Sequence, residues 1–457
     1  MQITSSATSL IDTLRDRRQK LAKLIDFPVI LWSGKSTPRN FAANTFPFRA
    51  SSQFLYFAGL NLENVAIKLE KGILELFMDD PPSSNTLWHG ETSKREEIAV
   101  TIGADAAYPF AKLRLSTYKA ATIPVQDTVT RQQQDKWLQR KASLEGIDLK
   151  LAKAIVQLRL THDDAAIEEL KKAAVVTVEA HKAGITATKK NAKSEAEVRA
   201  AMEQVILASN MTCAYSSIVT VRGEVLHNNQ YHNLLQPGDL LLADVGAETS
   251  TGWAADVTRT WAVSGKFSST QQDIYDVVLA AHDACIAKIS PSVEYEDIHL
   301  LAATIIAQGL VDLGILRGIP EDLVAMDAHA LFFPHGVGHL LGLDVHDMED
   351  LEDIAGYEEG RSRSDRFGLC YLRLNRPLRA KMLVTIEPGF YQVPAILNNP
   401  ETQAKYKDVV NWEQLAKFAD VRGIRIEDDV LVTENGSEVL TEALPTSKDA
   451  IANLVHE

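Results

Sequence analysis

The amino-acid sequence predicts a two-domain α/β (α+β) protein, with a first domain over 1–160 and a second over 161–457. Three observations carry this. The chain has 457 residues, more than one ordinary core accommodates. Its first third alternates short strand-like and helix-like segments. Near residue 163 a long helical pattern opens a different texture, in which β hairpins alternate with helices and histidine and acidic residues crowd towards the end.

The elements follow in order. Leu10, Ile11, Leu14, Leu21, Leu24 and Ile25 recur at helical spacing and predict an amphipathic first helix. PVILWSG (28–34) reads as a buried strand, and NVAIKLEKGILELFMDD (64–80) as a hairpin turning at Lys71-Gly72. Helices are expected over 93–104 and 131–146. Asp163 is a plausible N-cap for a long helix, followed by a second over 194–210 and two more over 271–289 and 295–315. Ile274, Val277, Val278, Ala281 and Cys285 repeat at helical spacing and read as core.

Composition narrows the function. A net charge of −14 disfavours nucleic acid or an anionic membrane as the main partner. No apolar run reaches the roughly 18 residues a membrane span requires. The first 21 residues lack the apolar stretch of a signal peptide, and Asp12 and Asp16 argue against a transit peptide. Cys213, Cys285 and Cys370 form no CxxC pair, which disfavours a disulfide framework and a zinc–thiolate site and points to the reducing cytoplasm.

Four segments carry the chemistry. In LLLADVGAETSTGWAADVTRTWAV (240–263), two strand-like runs flank a turn. A turn centred on Ser250 sets Asp244 directly opposite Asp256 on one face. Two facing carboxylates repel unless a cation lies between them. PHGVGHLLGLDVHD (334–347) holds His335, His339 and His346, with glycines that make a regular helix doubtful. In MLVTIEPGFY (382–391), Glu387 ends an apolar strand. In RGIRIEDDVLVT (422–433), strand alternation puts Arg425 and Glu427 on one face, with Ile424 and Ile426 on the other. Taken singly, each has a bland reading as a solvated acid or a satisfied core histidine. Together, four carboxylates and imidazole suit Mn, Co, Zn or Fe. A carboxylate-rich set can also bridge two ions about 3.5–4 Å apart.

DxG, DVTRT, HGVGHLLGLDVHD, TIEPGFY and GIRIEDD occur in one order, and FPFRASSQFLYFAGL (46–60) lies upstream. This set resembles the pita-bread metallopeptidases, which include methionine aminopeptidase, aminopeptidase P and prolidase. The resemblance covers nearly the whole chain. It implies a creatinase-like N-terminal mixed α/β domain followed by a C-terminal pita-bread catalytic domain. It implies two divalent metal ions, manganese first with cobalt, zinc or iron as alternatives, held by Asp244, Asp256, His339, Glu387 and Glu427. A hydroxide bridging the ions would attack the peptide bond in front of proline, with Glu387 as proton acceptor. His227 and His346 match the family's other active-site histidines, and His335 would line the proline pocket. The partners implied are small peptides with proline second and, for assembly, a second copy of the chain as a homodimer or tetramer.

The sequence departs from that pattern in three places. Asp244 and Asp256 are 12 apart, one more than is usual in relatives. Ala380-Lys381 replaces a Pro-Gly pair. A long charged segment over 348–372 reads as a lid, an oligomer contact or a plain surface insertion, with its acidic run 348–360 as a solvated face.

Substrate length turns on cations that could meet a C-terminal carboxylate. Arg425 is one candidate. Arg373, 14 residues before Glu387, is the other and matches the prolidase position. VNWEQLAKF (410–418) also looks prolidase-like, whereas FLYFAGL looks like aminopeptidase P. The reading is therefore a prolidase, with aminopeptidase P as the alternative. Rival classes are a non-catalytic binding protein of the same fold and a phosphotriester side activity. His89, His282 and His299 read as structural or solvated.

Overall fold

The computed structural model describes residues 9–82 and 84–456. The expectation that no targeting segment begins the chain rests partly on residues 1–8, which lie outside the described residues. The chain separates into two compact units, one of Met1–Leu160 with Ser250–Gly252 and one of Thr161–Thr249 with Trp253–Glu457.

The first unit is built on a mixed four-stranded sheet. Val29–Trp32, Ala66–Glu70 and Ile73–Phe77 run antiparallel, and Ala106–Tyr108 joins the last in parallel. The 64–80 hairpin turns at Lys71-Gly72, both at positive φ. Trp32, Phe77 and Phe110 join Ile30 and Leu113 in its core, with Trp137 packed against them. The helix expected over 131–146 is instead Thr128–Leu138. Asp127 caps it through the Thr130 amide, and Gln139, at φ 55, ends it. Beyond that stop, Arg140 is drawn to Asp148, whose carboxylate is wholly buried.

Four of the second unit's helices pack as two pairs of consecutive helices. Asp164–Lys189 begins where Asp163 accepts from the Ala166 amide, as the N-cap reading requires, and Glu195–Ala208 follows. Ser269–Lys288 opens with a capping box between Ser268 and Gln271, and Tyr295–Asp312 returns beside it. Ile274, Val278, Ala281 and Cys285 are fully buried and Val277 is half-buried, so the helical stripe faces the core along all but its edge. None of the described helices is long and apolar enough to cross a membrane.

Two three-stranded antiparallel sheets carry the remaining structure. Leu240–Asp244 is central between Ile218–Thr220 and Thr258–Ala262. Asp428–Thr433 is central between Leu383–Ile386 and Gly436–Val439. A short ladder pairs Gly389–Tyr391 with Gly423–Arg425. The strand ends of these ladders converge, and the polar residues at them face one cavity.

Candidate metal centre

The first hairpin differs from the sequence expectation by one turn position. Asp244 pairs with Thr258, not with Asp256. The Val245 amide donates to the Val257 carbonyl and the Ala255 amide to the Ala247 carbonyl, which centres the turn on Thr251. Gly252, at φ +93, supplies the conformation that a Ser250-centred turn would demand of a β-branched residue. Asp256 is therefore diagonal to Asp244. Residues two apart on a strand share a face, so both carboxylates still reach the same side. The Tyr215 hydroxyl joins them, 2.6 Å from Asp244 Oδ1 and 2.5 Å from Asp256 Oδ1.

The histidine segment passes through the site without forming a helix, as its glycines suggest. A Cβ on Gly338 would lie 2.1 Å from the Thr385 carbonyl oxygen, so only glycine lets this chain pack on the 383–386 strand. That packing sets His339. Its amide donates to Thr385 Oγ1, and its Nδ1 lies 2.9 Å from the Leu340 carbonyl. A proton on Nδ1 leaves Nε2 as the free donor atom, facing Asp256 Oδ2 at 3.3 Å and Glu387 Oε1 at 3.6 Å.

Glu427 enters from the other sheet. The Thr258 hydroxyl donates to it at 2.6 Å and itself accepts from Arg425 Nε. Arg425 and Glu427 both line the cavity, while Ile424 and Ile426 are fully buried behind them, so the alternation holds across the break in the strand. The guanidinium of Arg425 is engaged throughout: Nη2 donates to Asp244 Oδ2 and Nη1 to the Tyr391 hydroxyl.

Every residue singled out from the sequence for this site lines one cavity of about 360 Å³: His227, Asp244, Asp256, His335, His339, His346, Arg373, Glu387, Arg425 and Glu427. Burial dominates its electrostatics. It raises the Asp256 pKa to about 8, with the Asp244 charge adding, and Glu387 to about 7. Glu427 is also driven up, by burial and then by Asp256. Burial lowers His339, His346 and His227. His335 falls to about 3 through burial and then Arg425, which keeps its ring neutral. Its Nε2 lies 2.9 Å from the Tyr391 hydroxyl, and Phe333 stands edge-on to its ring.

Buried carboxylates converging this closely are costly unless a cation compensates them. Among the described residues, Asp256, His339 and Glu427 each offer a ligand atom, and these atoms all lie within 4.8 Å of one another. Asp244 and Glu387 flank that group, so the oxygen-rich set with one imidazole fits divalent metal ions.

A family model described as metallopeptidase family M24 matches residues 168–434, more than half of the chain. The chain belongs to the M24 metallopeptidases. A second model, the aminopeptidase P N-terminal domain, matches residues 14–124, so this M24 enzyme has the two-domain architecture. Human Xaa-Pro dipeptidase is 30% identical, covering 90% of this chain and 85% of its own. A probable Xaa-Pro aminopeptidase of Tuber melanosporum is also 30% identical, covering 94% and 91%. Among solved structures, Pseudomonas aeruginosa aminopeptidase PepP superposes with a TM-score of 0.79 at 26% identity, over 97% of each chain. Escherichia coli aminopeptidase P with the inhibitor Pro-Leu gives 0.78 at 25%, over 99% of each.

Sequence reasoning missed several of this M24 site's supporting residues. Tyr215, Thr258, Tyr391 and Thr385 orient its acids and histidine, yet a hydroxyl in a strand-like run gives no sign of that role. The acidic run 348–360 is not simply a solvated face. Met348, Leu351 and Ala355 are buried, Glu349 pairs with Arg373 and Asp353 with Arg363. The 348–372 segment supplies Arg363 and Tyr371 to the cavity wall. His282 is buried with Nε2 3.0 Å from Asp428 Oδ2, His299 is buried against the Gly368 carbonyl, and His89 is exposed.

Proposed function

We propose that this M24 enzyme hydrolyses the peptide bond in front of proline, and that dipeptides are its preferred substrates. The observation that carries the reading is the convergence of Asp256, His339 and Glu427 in a cavity that also presents three further histidines and Arg373.

Asp244, Asp256, His339, Glu387 and Glu427 would hold two divalent ions. When bound, such ions polarise the scissile carbonyl and make water a nucleophile at neutral pH. The protein's own groups do the rest. Glu387 is the proton acceptor: 17% of its side chain is exposed against 8% for Asp256 and 12% for Asp244, so it can exchange protons with the cavity. Neutral His335, backed by Phe333 and Tyr391, offers an aromatic wall to the proline ring. His227 donates to the carbonyl oxygen as charge develops on it, and His346, whose Nδ1 proton goes to Glu349, meets the substrate through its other ring nitrogen. Arg373, whose side chain is 37% exposed, meets the substrate carboxylate. Arg425, engaged with Asp244, Thr258 and Tyr391, acts on the reaction by holding Asp244.

A second reading, aminopeptidase P activity on longer peptides, has an observation of its own. A polar groove lined by Arg222, Asn228, Asn229, Gln230 and Asn233 shares His227 with the cavity and could take a peptide that continues beyond proline. Hydrolysis of Ala-Pro against Ala-Pro-Ala, with and without Mn²⁺ and with an Arg373→Ala variant, separates the two. Rapid Ala-Pro cleavage that collapses in the variant supports the dipeptidase. A preference for Ala-Pro-Ala, indifferent to Arg373, overturns it.

We further take manganese as the metal, a homodimer as the assembly and the cytoplasm as the compartment. The oxygen-rich donor set supports the first choice and the unpaired cysteine pattern the last, while the homodimer rests on the family resemblance alone. Metal analysis of the purified protein, sedimentation equilibrium and cell fractionation test them in turn.

A further inference from the structure

Glu349 opens a single 3-10 turn, Glu349–Leu351, at the start of the 348–372 segment. Its backbone is held there by Met348, which is fully buried and at φ +61, and by the buried Leu351. The two carboxylate oxygens of Glu349 have different partners. Oε2 lies 2.6 Å from His346 Nδ1, and Oε1 accepts from Arg373 Nη1. His346 and Arg373 both line the cavity, and the His346 ring stands edge-on to His339 at 4.3 Å between centroids. One half-exposed carboxylate thus ties together two groups that face the substrate.

The other cation of this wall is differently placed. Arg363 donates from one nitrogen to the Leu372 carbonyl and from another to Asp353, so it is fastened to its own segment. Among the described residues, Arg373 has Glu349 as its hydrogen-bond partner. One nitrogen of its guanidinium, Nη1, is therefore already engaged by a carboxylate of the protein.

We propose that Glu349 is a built-in competitor for the substrate carboxylate, holding Arg373 until a dipeptide's C-terminus displaces it. The inference rests on the dipeptidase reading above and goes beyond it by naming the residue that sets how strongly the carboxylate is felt. A bidentate meeting with the substrate carboxylate needs two guanidinium nitrogens, so Glu349 on Nη1 competes for one of them. Glu349 also places a negative charge beside the incoming one, and like charges at short range disfavour binding. Displaced from Arg373, Glu349 keeps its hydrogen bond to His346. Carboxylate capture would thereby weaken dipeptide binding and hasten release of free proline, which carries the same carboxylate. Glu349 is a positioning residue in this scheme, because it acts through Arg373.

The test is a cycle of four proteins assayed on Ala-Pro with saturating Mn²⁺: wild type, Glu349→Gln, Arg373→Ala and the double variant. Glu349→Gln removes the charge and retains the shape. Its KM for Ala-Pro is expected to fall by about 2- to 5-fold, the scale of a partly exposed ion pair. In the Arg373→Ala background the same change is expected to move KM by less than about 2-fold. An effect transmitted through His346 would appear in kcat in both backgrounds and leave that difference in KM untouched. Glu349→Asp, which restores the charge, is expected to move KM back towards wild type. An unchanged or higher KM in Glu349→Gln, or an equal fall in both backgrounds, overturns this inference alone. Wild-type cleavage confined to Ala-Pro-Ala, or absent with every divalent ion, overturns the dipeptidase reading and this inference with it.

Discussion

Arg425 Nη2 donates to Asp244 Oδ2 at 2.5 Å, across 181 residues of chain. Nε of the same guanidinium reaches Thr258 and Nη1 reaches Tyr391. Three directions at once are a task for a planar fork, which a lysine cannot replace. Arg425→Lys is therefore expected to lower divalent-metal affinity by about 10- to 100-fold, the usual effect of losing an outer hydrogen bond to a metal ligand. Titration of the metal-free variant with Mn²⁺ measures this, and wild-type affinity would count against the role.

Gly338 offers a sharper structural test. An added Cβ would lie 2.1 Å from the Thr385 carbonyl oxygen and 2.3 Å from the Tyr295 hydroxyl. Both neighbours are buried and hydrogen-bonded to each other, so neither can yield freely. Gly338→Ala is expected to destabilise the protein by about 1–3 kcal/mol, as overpacking does, and to pull His339 from the other ligands. Urea unfolding together with metal content reads both effects. An alanine variant that keeps wild-type stability and metal would refute the argument.

The pH dependence of the metal-free protein follows from its crowded acids. Asp256 is raised to about 8 and Glu387 to about 7, whereas both titrate near 4 when unfolded. Between those values the folded state binds more protons than the unfolded one, so stability falls as pH rises. The EDTA-treated protein is thus expected to lose melting temperature steadily from about pH 4.5 to pH 8 through these groups. Mn²⁺ replaces the protons, so its stabilising effect should grow over the same range, with proton release detectable by calorimetry in two buffers. A melting temperature rising through that range without metal would contradict the assignment.

Lys381 stands at φ +70, where the resembling family carries glycine. Its amide donates to the Val432 carbonyl and its carbonyl accepts from the His162 amide, so the conformation is held at both ends. A left-handed non-glycine residue costs about 1–2 kcal/mol, partly offset by the greater freedom of glycine in the unfolded chain. The Lys381–Asp164 ion pair is largely exposed and contributes little. Lys381→Gly is expected to stabilise the protein by about 0.5–1 kcal/mol in denaturant unfolding. A loss of stability would show that the ion pair outweighs the backbone.

Local rules carried much of the fold. Asp163 could be read as an N-cap, and the helix it starts runs to Lys189. Lys71-Gly72 could be read as a turn, because so few residues adopt positive φ. The same reasoning overran Leu138, since the stop at Gln139 depends on Arg140 finding Asp148, and it misplaced the 240–263 turn by one residue. In the site, Asp244, Asp256, Glu387 and Glu427 stood out as acids in apolar runs, where burial demands a reason, whereas the choice of His339 among three histidines came from the family resemblance.

The sequence by itself determined the two-domain α/β plan, the helix starts and the residue types of a metal site, because periodicity, caps and buried charge are local properties. The tertiary structure decided which side chains serve those residues. Tyr215 between the aspartates, Thr385 under His339, Arg425 on Asp244 and Glu349 on Arg373 are contacts between segments far apart in sequence or separated by a turn. No local pattern specifies such pairs, because they exist only once the strands have found their register and brought distant donors within hydrogen-bond reach.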